Sequence, residues 1–93
     1  MKFEWDPAKA AINLRKHGVS FESAVRVFED ELSATFPDPD HSRREFRLIT
    51  YGLGADGKLL VVSHTERGGS IRMISARIAT NKERKRYEAQ ETH

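Results

Sequence analysis

The sequence of 93 residues contains no cysteine. That excludes a disulfide framework and a thiolate zinc site. No apolar run approaches the roughly 18 to 20 residues that cross a bilayer, so neither a spanning helix nor a membrane partner is expected. The opening residues, MKFEWDPAKA, place acids where a signal peptide needs an apolar stretch. A cytoplasmic protein fits these absences. Internal repeats and low-complexity tracts are also lacking. No two of the four histidines fall at ligand spacing on one helix, so no metal or other cofactor is expected.

What is present is charge, unevenly spread. The first 40 residues carry five Lys/Arg against eight Asp/Glu, a net −3; residues 41–93 carry eleven against six, a net +5. A basic half that meets a polyanion and an acidic half that faces away is one reading of this split. An ordinary solvated surface is the other.

The length fits one domain over residues 1–93 with a modest core. KFEW alternates apolar and polar residues and reads as a short strand. Asp6 as N-cap, Pro7 in the first helical position and Gly18 as the left-handed stop bound a helix ending near His17. Ser20 caps a second helix, whose apolar stripe is Phe21, Ala24, Val25 and Phe28. The short link makes the two a helix hairpin. PDPD at 37–40 marks a loop. Three strands are then expected, at about Glu45–Leu53, Leu59–Glu66 and Ile71–Ile78. Asp56-Gly57 and Gly68-Gly69 supply the turns of a meander. Thr80 to Glu83, TNKE, is a capping box opening a final helix that is polar almost all round, with Tyr87 as its apolar anchor. The expected class is α+β, in the order β-α-α-β-β-β-α, with the hairpin on one face of an antiparallel sheet.

If both turns are even-length, side-chain alternation assigns the faces. Phe46, Leu48, Leu59, Val61, Ile74, Ala76 and Ile78 would lie beneath the hairpin. Glu45, Arg47, Tyr51, His64, Glu66, Ser75 and Arg77 would share the other face, around Ile49, Val62 and Met73. Such a patch matches the needs of RNA cleavage by the substrate's own 2′-hydroxyl. His64 and Glu66 are the candidates for moving protons, and Arg47 and Arg77 for stabilising charge on phosphorus. Arg67, Lys82, Arg84, Lys85, Arg86 and Tyr87 are candidates for holding the RNA strand. Plainer readings exist for the same residues. Arg47 and Glu66 would also serve as a cross-strand ion pair, His64 as a half-buried histidine, His17 as a helix C-terminal cation, and KERKR as a solvated helix face.

The segments FEWDPAKAAINLRKHGVSFESAVRVFED, DPDHSRREFRLITYG and GKLLVVSHTERGGSIRMISARIATNKERKRYE resemble the BrnT family over residues 3 to 88. BrnT proteins are the toxins of BrnT/BrnA type II toxin–antitoxin systems. The resemblance implies a RelE-like fold and an endoribonuclease that inhibits translation by cutting RNA, whether free or as ribosome-bound mRNA. It also implies a BrnA-like ribbon-helix-helix antitoxin that neutralises the toxin, in a complex of two toxins with an antitoxin dimer that binds operator DNA. Matching positions include Lys16, His17, Gly18, Asp40, His41, Ser42, Arg47, Glu66, Arg67, Ser75, Ala76, Arg77, Glu83, Arg84 and Tyr87. Ile78 departs, standing where a basic residue is expected. RelE-like toxins often work with Arg, Lys and Tyr, which adds Tyr51 and Tyr87 as candidate proton donors or stacking surfaces. The rival expectation is a non-catalytic basic module that grips an acidic partner or operator DNA as a co-repressor.

Overall fold

A computed structural model describes residues 1–39 and 46–89. Asp40, His41, Ser42 and Glu45, named above, lie outside the described residues.

Strand β1 (Lys2–Glu4) leads into α1 (Pro7–His17). Asp6 Oδ1 accepts the Ala8 N–H at 2.8 Å, and Gly18, at φ 69°, donates its N–H to the Leu14 carbonyl. Both ends of the helix are therefore set by local chemistry. α2 (Phe21–Val25) is capped by Ser20 Oγ, which accepts from Ser23 N–H at 3.0 Å. The expected apolar stripe continues past α2, but through a 3-10 turn (Arg26–Glu29). That turn presses Val27 against the sheet. A Cβ at Gly52 would sit 2.8 Å from Val27 Cγ1 and 2.9 Å from the Val27 carbonyl, so only glycine fits there.

The sheet has five strands rather than the four expected. Between the 3-10 turn and the next strand lies β2 (Ala34–Pro37), followed by β3 (Leu48–Leu53), β4 (Leu59–Arg67) and β5 (Ser70–Ile78), then α3 (Asn81–Ala89). The order is β1-β5-β4-β3-β2. β1 runs parallel to β5, so the sheet is mixed, not antiparallel throughout. Apolar residues on one side of the sheet (Leu60, Val62, Ile71, Met73 and Ala76) pack with Phe21, Ala24 and Val27 of the hairpin. Each such fully buried large side chain contributes about 1.5–3 kcal/mol. On the other side Tyr51, Leu59 and Val61 close around Tyr87 of α3.

α1 is joined to the sheet by a buried side chain. β1 pairs with β5 only over Ser70–Arg72, and no other strand of the described residues pairs with the upper part of that edge. Asn13 fills that place. Its Nδ2 donates to the Ala76 and Val19 carbonyls at 2.9 Å each, and its Oδ1 accepts the Ala76 N–H at 3.0 Å. One amide thus satisfies the main chain as a neighbouring strand would.

The expected face assignment is half overturned. Leu53 pairs with Leu59, so the first turn spans the five residues 54–58, an odd number. That exchanges the two faces of β4. A bulge at Ser63/His64 shifts the β4–β5 register by one. Leu59 and Val61 therefore lie away from the hairpin, and Val62 and Met73 lie beneath it. Relative to β3 the two shifts cancel in the upper part of β5, so Arg77 keeps its expected face.

Candidate nucleic-acid interface

Cross-strand partners share a face. On the side away from the hairpin, one row runs Phe36, Ile49, Ser63, Ser75, and the next runs Ala34, Tyr51, Val61, Arg77. The Asp38 N–H donates to the Arg47 carbonyl at 2.9 Å, continuing the β2–β3 ladder, so alternation puts Arg47 on this same side. Arg72, paired with Thr65, joins it there beside Glu4 at 4.0 Å. The Phe36–Ser75 row therefore lies between Arg47 and Arg72 on one flank and Arg77 on the other.

α3 crosses the second flank. Its capping box forms as the sequence predicts: Glu83 N–H donates to Thr80 Oγ1, and Thr80 N–H donates to Glu83 Oε1. Glu83 also grips Arg77 with two hydrogen bonds, each 2.8 Å. The hydrogen bonds from Arg77, aided by the Thr80 N–H, outweigh burial and hold the Glu83 carboxyl at about 2. The same bonds raise the Arg77 pKa above its ordinary value. Tyr87 donates from its hydroxyl to Asp30 Oδ2 at 2.5 Å. Burial raises the Asp30 pKa, but hydrogen bonds from Tyr87, Leu32 and Leu53 outweigh it and leave the carboxyl below its usual range. Arg86 lies over the Phe36 ring at 5.6 Å, and that ring meets Tyr51 at 5.8 Å. Lys82, Arg84, Lys85 and Arg86 are all exposed.

The four expected catalytic residues are not gathered into one patch. Arg47 and Arg77 share the far side of the sheet. His64 does not: it pairs with Leu48 and Met73 and is 3% exposed. Its Nε2 shares a 2.7 Å hydrogen bond with Thr50 Oγ1, which meets Thr35 Oγ1 at 2.7 Å. Phe28 packs edge-on against the imidazole at 4.9 Å. Burial lowers the His64 pKa to about 4, so the ring is neutral near pH 7. The odd first turn is the physical reason for the exchange. Glu66 does not share the far side either: it pairs with Ile71 and so lies on the hairpin side, exposed near the end of β4, where Phe46, Leu48, Thr65, Glu66 and Arg67 line a groove beside the start of β3. Tyr87 and Tyr51 are buried as structural anchors. Sequence reasoning missed Phe36, 39% exposed beneath Arg86, because the strand that carries it was not recognised. Among the described residues, no three His, Asp or Glu side chains cluster to hold a metal.

A family model described as "Ribonuclease toxin, BrnT, of type II toxin-antitoxin system" matches residues 5–83. The chain belongs to the BrnT family. The 1.1 Å crystal structure of the Brucella abortus ribonuclease toxin, BrnT, is similar to it with a TM-score of 0.69 and 30% identity, covering 87% of this chain and 99% of that one. Comparison with curated proteins finds no match. Membership identifies a ribonuclease toxin of a type II system, with RNA as substrate and an antitoxin as partner. The α+β fold, a five-stranded mixed sheet with three helices, agrees with the BrnT structure. No helix among the described residues is long and apolar enough to cross a membrane.

Proposed function

We propose that this BrnT-family chain holds RNA across the side of the sheet away from the hairpin and cuts it without a metal. The 2′-oxygen attacks the adjacent phosphorus and the bond to the 5′-oxygen breaks. A base takes the 2′-hydroxyl proton and an acid returns one to the leaving oxygen, leaving a 2′,3′-cyclic phosphate and a 5′-hydroxyl. Arg47 and Arg77 supply positive charge to the crowded phosphate, and their planar forks suit its oxygens. Glu66 shares the hairpin side with its partner Ile71, so it does not face RNA held on the far side and is not given the proton-transfer role. His64 is proposed to act from beneath the sheet, fixing β3 through Thr50 rather than touching RNA. Arg67, Lys82, Arg84, Lys85 and Arg86 are proposed to follow the phosphate backbone.

The supporting observation is the Phe36–Ile49–Ser63–Ser75 row, which lies between guanidinium groups on both flanks. The finer family features belong to the same proposal: a RelE-like architecture, translation inhibition in the cytoplasm, and a BrnA-like ribbon-helix-helix antitoxin in a two-to-two complex on operator DNA. One observation favours the rival, a non-catalytic co-repressor module. Arg77 is already gripped by Glu83. The test is incubation of purified protein with RNA, with and without EDTA, followed by end-group analysis. Cyclic phosphate ends that survive chelation are expected. Intact RNA in both arms, with operator DNA bound only alongside the antitoxin, would establish the rival.

A further inference from the structure

A cavity of about 180 Å³ lies between α1 and the edge of β5, at the β5 end of the arginine-flanked row. Lys9, Asn13, Lys16 and His17 face Ile74 and Ser75 across it. Positions 9, 13 and 16 fall at i, i+4 and i+7, so one face of α1 supplies them. Asn13 is already committed to Ala76 and Val19. What remains toward solvent includes two ammonium groups: Lys9 and Lys16 are exposed, with exposed Ile12 and half-buried His17 beside them. Among the described residues, no carboxylate lines the cavity. None of the ion pairs among the described residues uses either lysine. The carbonyl end of α1 opposes an anion there, but by only about half a charge, against two full ammonium charges.

The cavity also has a direction. Ser75 lies on its wall and pairs with Ser63 in the row between the arginines. A strand laid along that row leaves the sheet over Ser75, at the wall of the cavity that Lys9 and Lys16 also line. The geometry points to a phosphate subsite formed by Lys9, Lys16 and His17, which holds the RNA backbone where it leaves the sheet. This rests on the RNA reading above and extends it to a surface of α1. Its specificity is for the sugar–phosphate backbone, since ammonium groups are point charges that read no base edge.

The test uses the full chain and a single-stranded RNA oligonucleotide carrying 2′-O-methyl groups, which cannot be cut through its own 2′-oxygen. Binding is measured across salt concentrations for the wild type, for Lys9→Gln/Lys16→Gln, and for Lys2→Gln/Lys58→Gln, which removes the same charge elsewhere. Loss of two phosphate contacts should flatten the plot of log affinity against log salt by about 1.4 in the first double variant. The second should stay close to wild type, and Lys9→Arg/Lys16→Arg should restore binding. Equal slopes in both Gln variants would overturn the subsite while leaving the RNA reading intact. So would an unchanged RNA slope with lost antitoxin binding, which would give the cavity to the antitoxin. A wild type with no salt-dependent RNA binding would overturn both, and is told apart by needing no variant.

Discussion

Arg77 and Glu83 form two parallel hydrogen bonds, Nη1 to Oε1 and Nη2 to Oε2, each 2.8 Å, and so fasten a helix with few apolar residues to the sheet. The pair gives Arg77 a structural duty beside its proposed chemical one, and the two can be separated. Arg77→Ala and Glu83→Gln break the same contact, so each should cost about 1 kcal/mol in urea unfolding, discounted for the partial exposure of Arg77. RNA cleavage should fall roughly 100-fold in Arg77→Ala and change little in Glu83→Gln. Equal losses of cleavage in the two variants would reduce Arg77 to a fastening for α3.

His64 should control acid stability and leave cleavage alone. Its pKa is lowered in the folded state, from 6.5 to about 4, so the unfolded chain binds the extra proton first. Stability is therefore full above about pH 6.5 and declines as pH falls toward 4, by up to ~3 kcal/mol. Glu83, held near 2, adds a loss that sets in below its ordinary 4.5. His64→Gln should abolish the decline between pH 6.5 and 4.5 in urea titrations and keep RNA cleavage within a few-fold. Complete loss of cleavage with an intact fold would return His64 to the reaction.

Phe36 should act on binding. It is 39% exposed under Arg86, so Phe36→Ala removes little from the core. Stacking of a base on an aromatic ring is worth about 1–3 kcal/mol. Oligonucleotide affinity should drop by that amount while the melting temperature moves slightly. An unchanged dissociation constant would mean that RNA does not reach β2.

Asn13 should act on the fold. Asn13→Ala leaves the Ala76 N–H and two carbonyls without their partner, for a cost of about 2–4 kcal/mol. Asn13→Asp restores the acceptor but supplies no donor, so it should rescue little. Near-wild-type stability of either variant would show that water replaces the amide readily.

The punctuation of this fold is written locally, and so it can be read. Asp6, Pro7, Gly18, Ser20, Thr80 and Glu83 act within a few residues of themselves, and each does what its chemistry predicts. β2 escaped notice because its four residues end in Pro37 and show no clear alternation. Its evidence is its partner, β3, far along the chain. The site failed at a single point of parity. The five-residue turn after Leu53 contains the same Asp-Gly signal as an even one, yet it sends His64 to the hairpin side. Arg47 and Arg77 stayed together because the bulge at Ser63/His64 undid the error for the upper part of β5. Which residue would clasp the free edge of β5 was also unreadable: an asparagine in mid-helix looks like any other until Ala76 is placed beside it.

That clasp orders events during synthesis. Asn13 and Ala76 stand 63 positions apart, and β1 likewise waits for Ser70–Arg72. A ribosome must therefore release most of the chain before its opening segment finds a home. Until then the nascent polypeptide lacks Ser75 and Arg77 in their places, and the arginine-flanked row is not yet assembled.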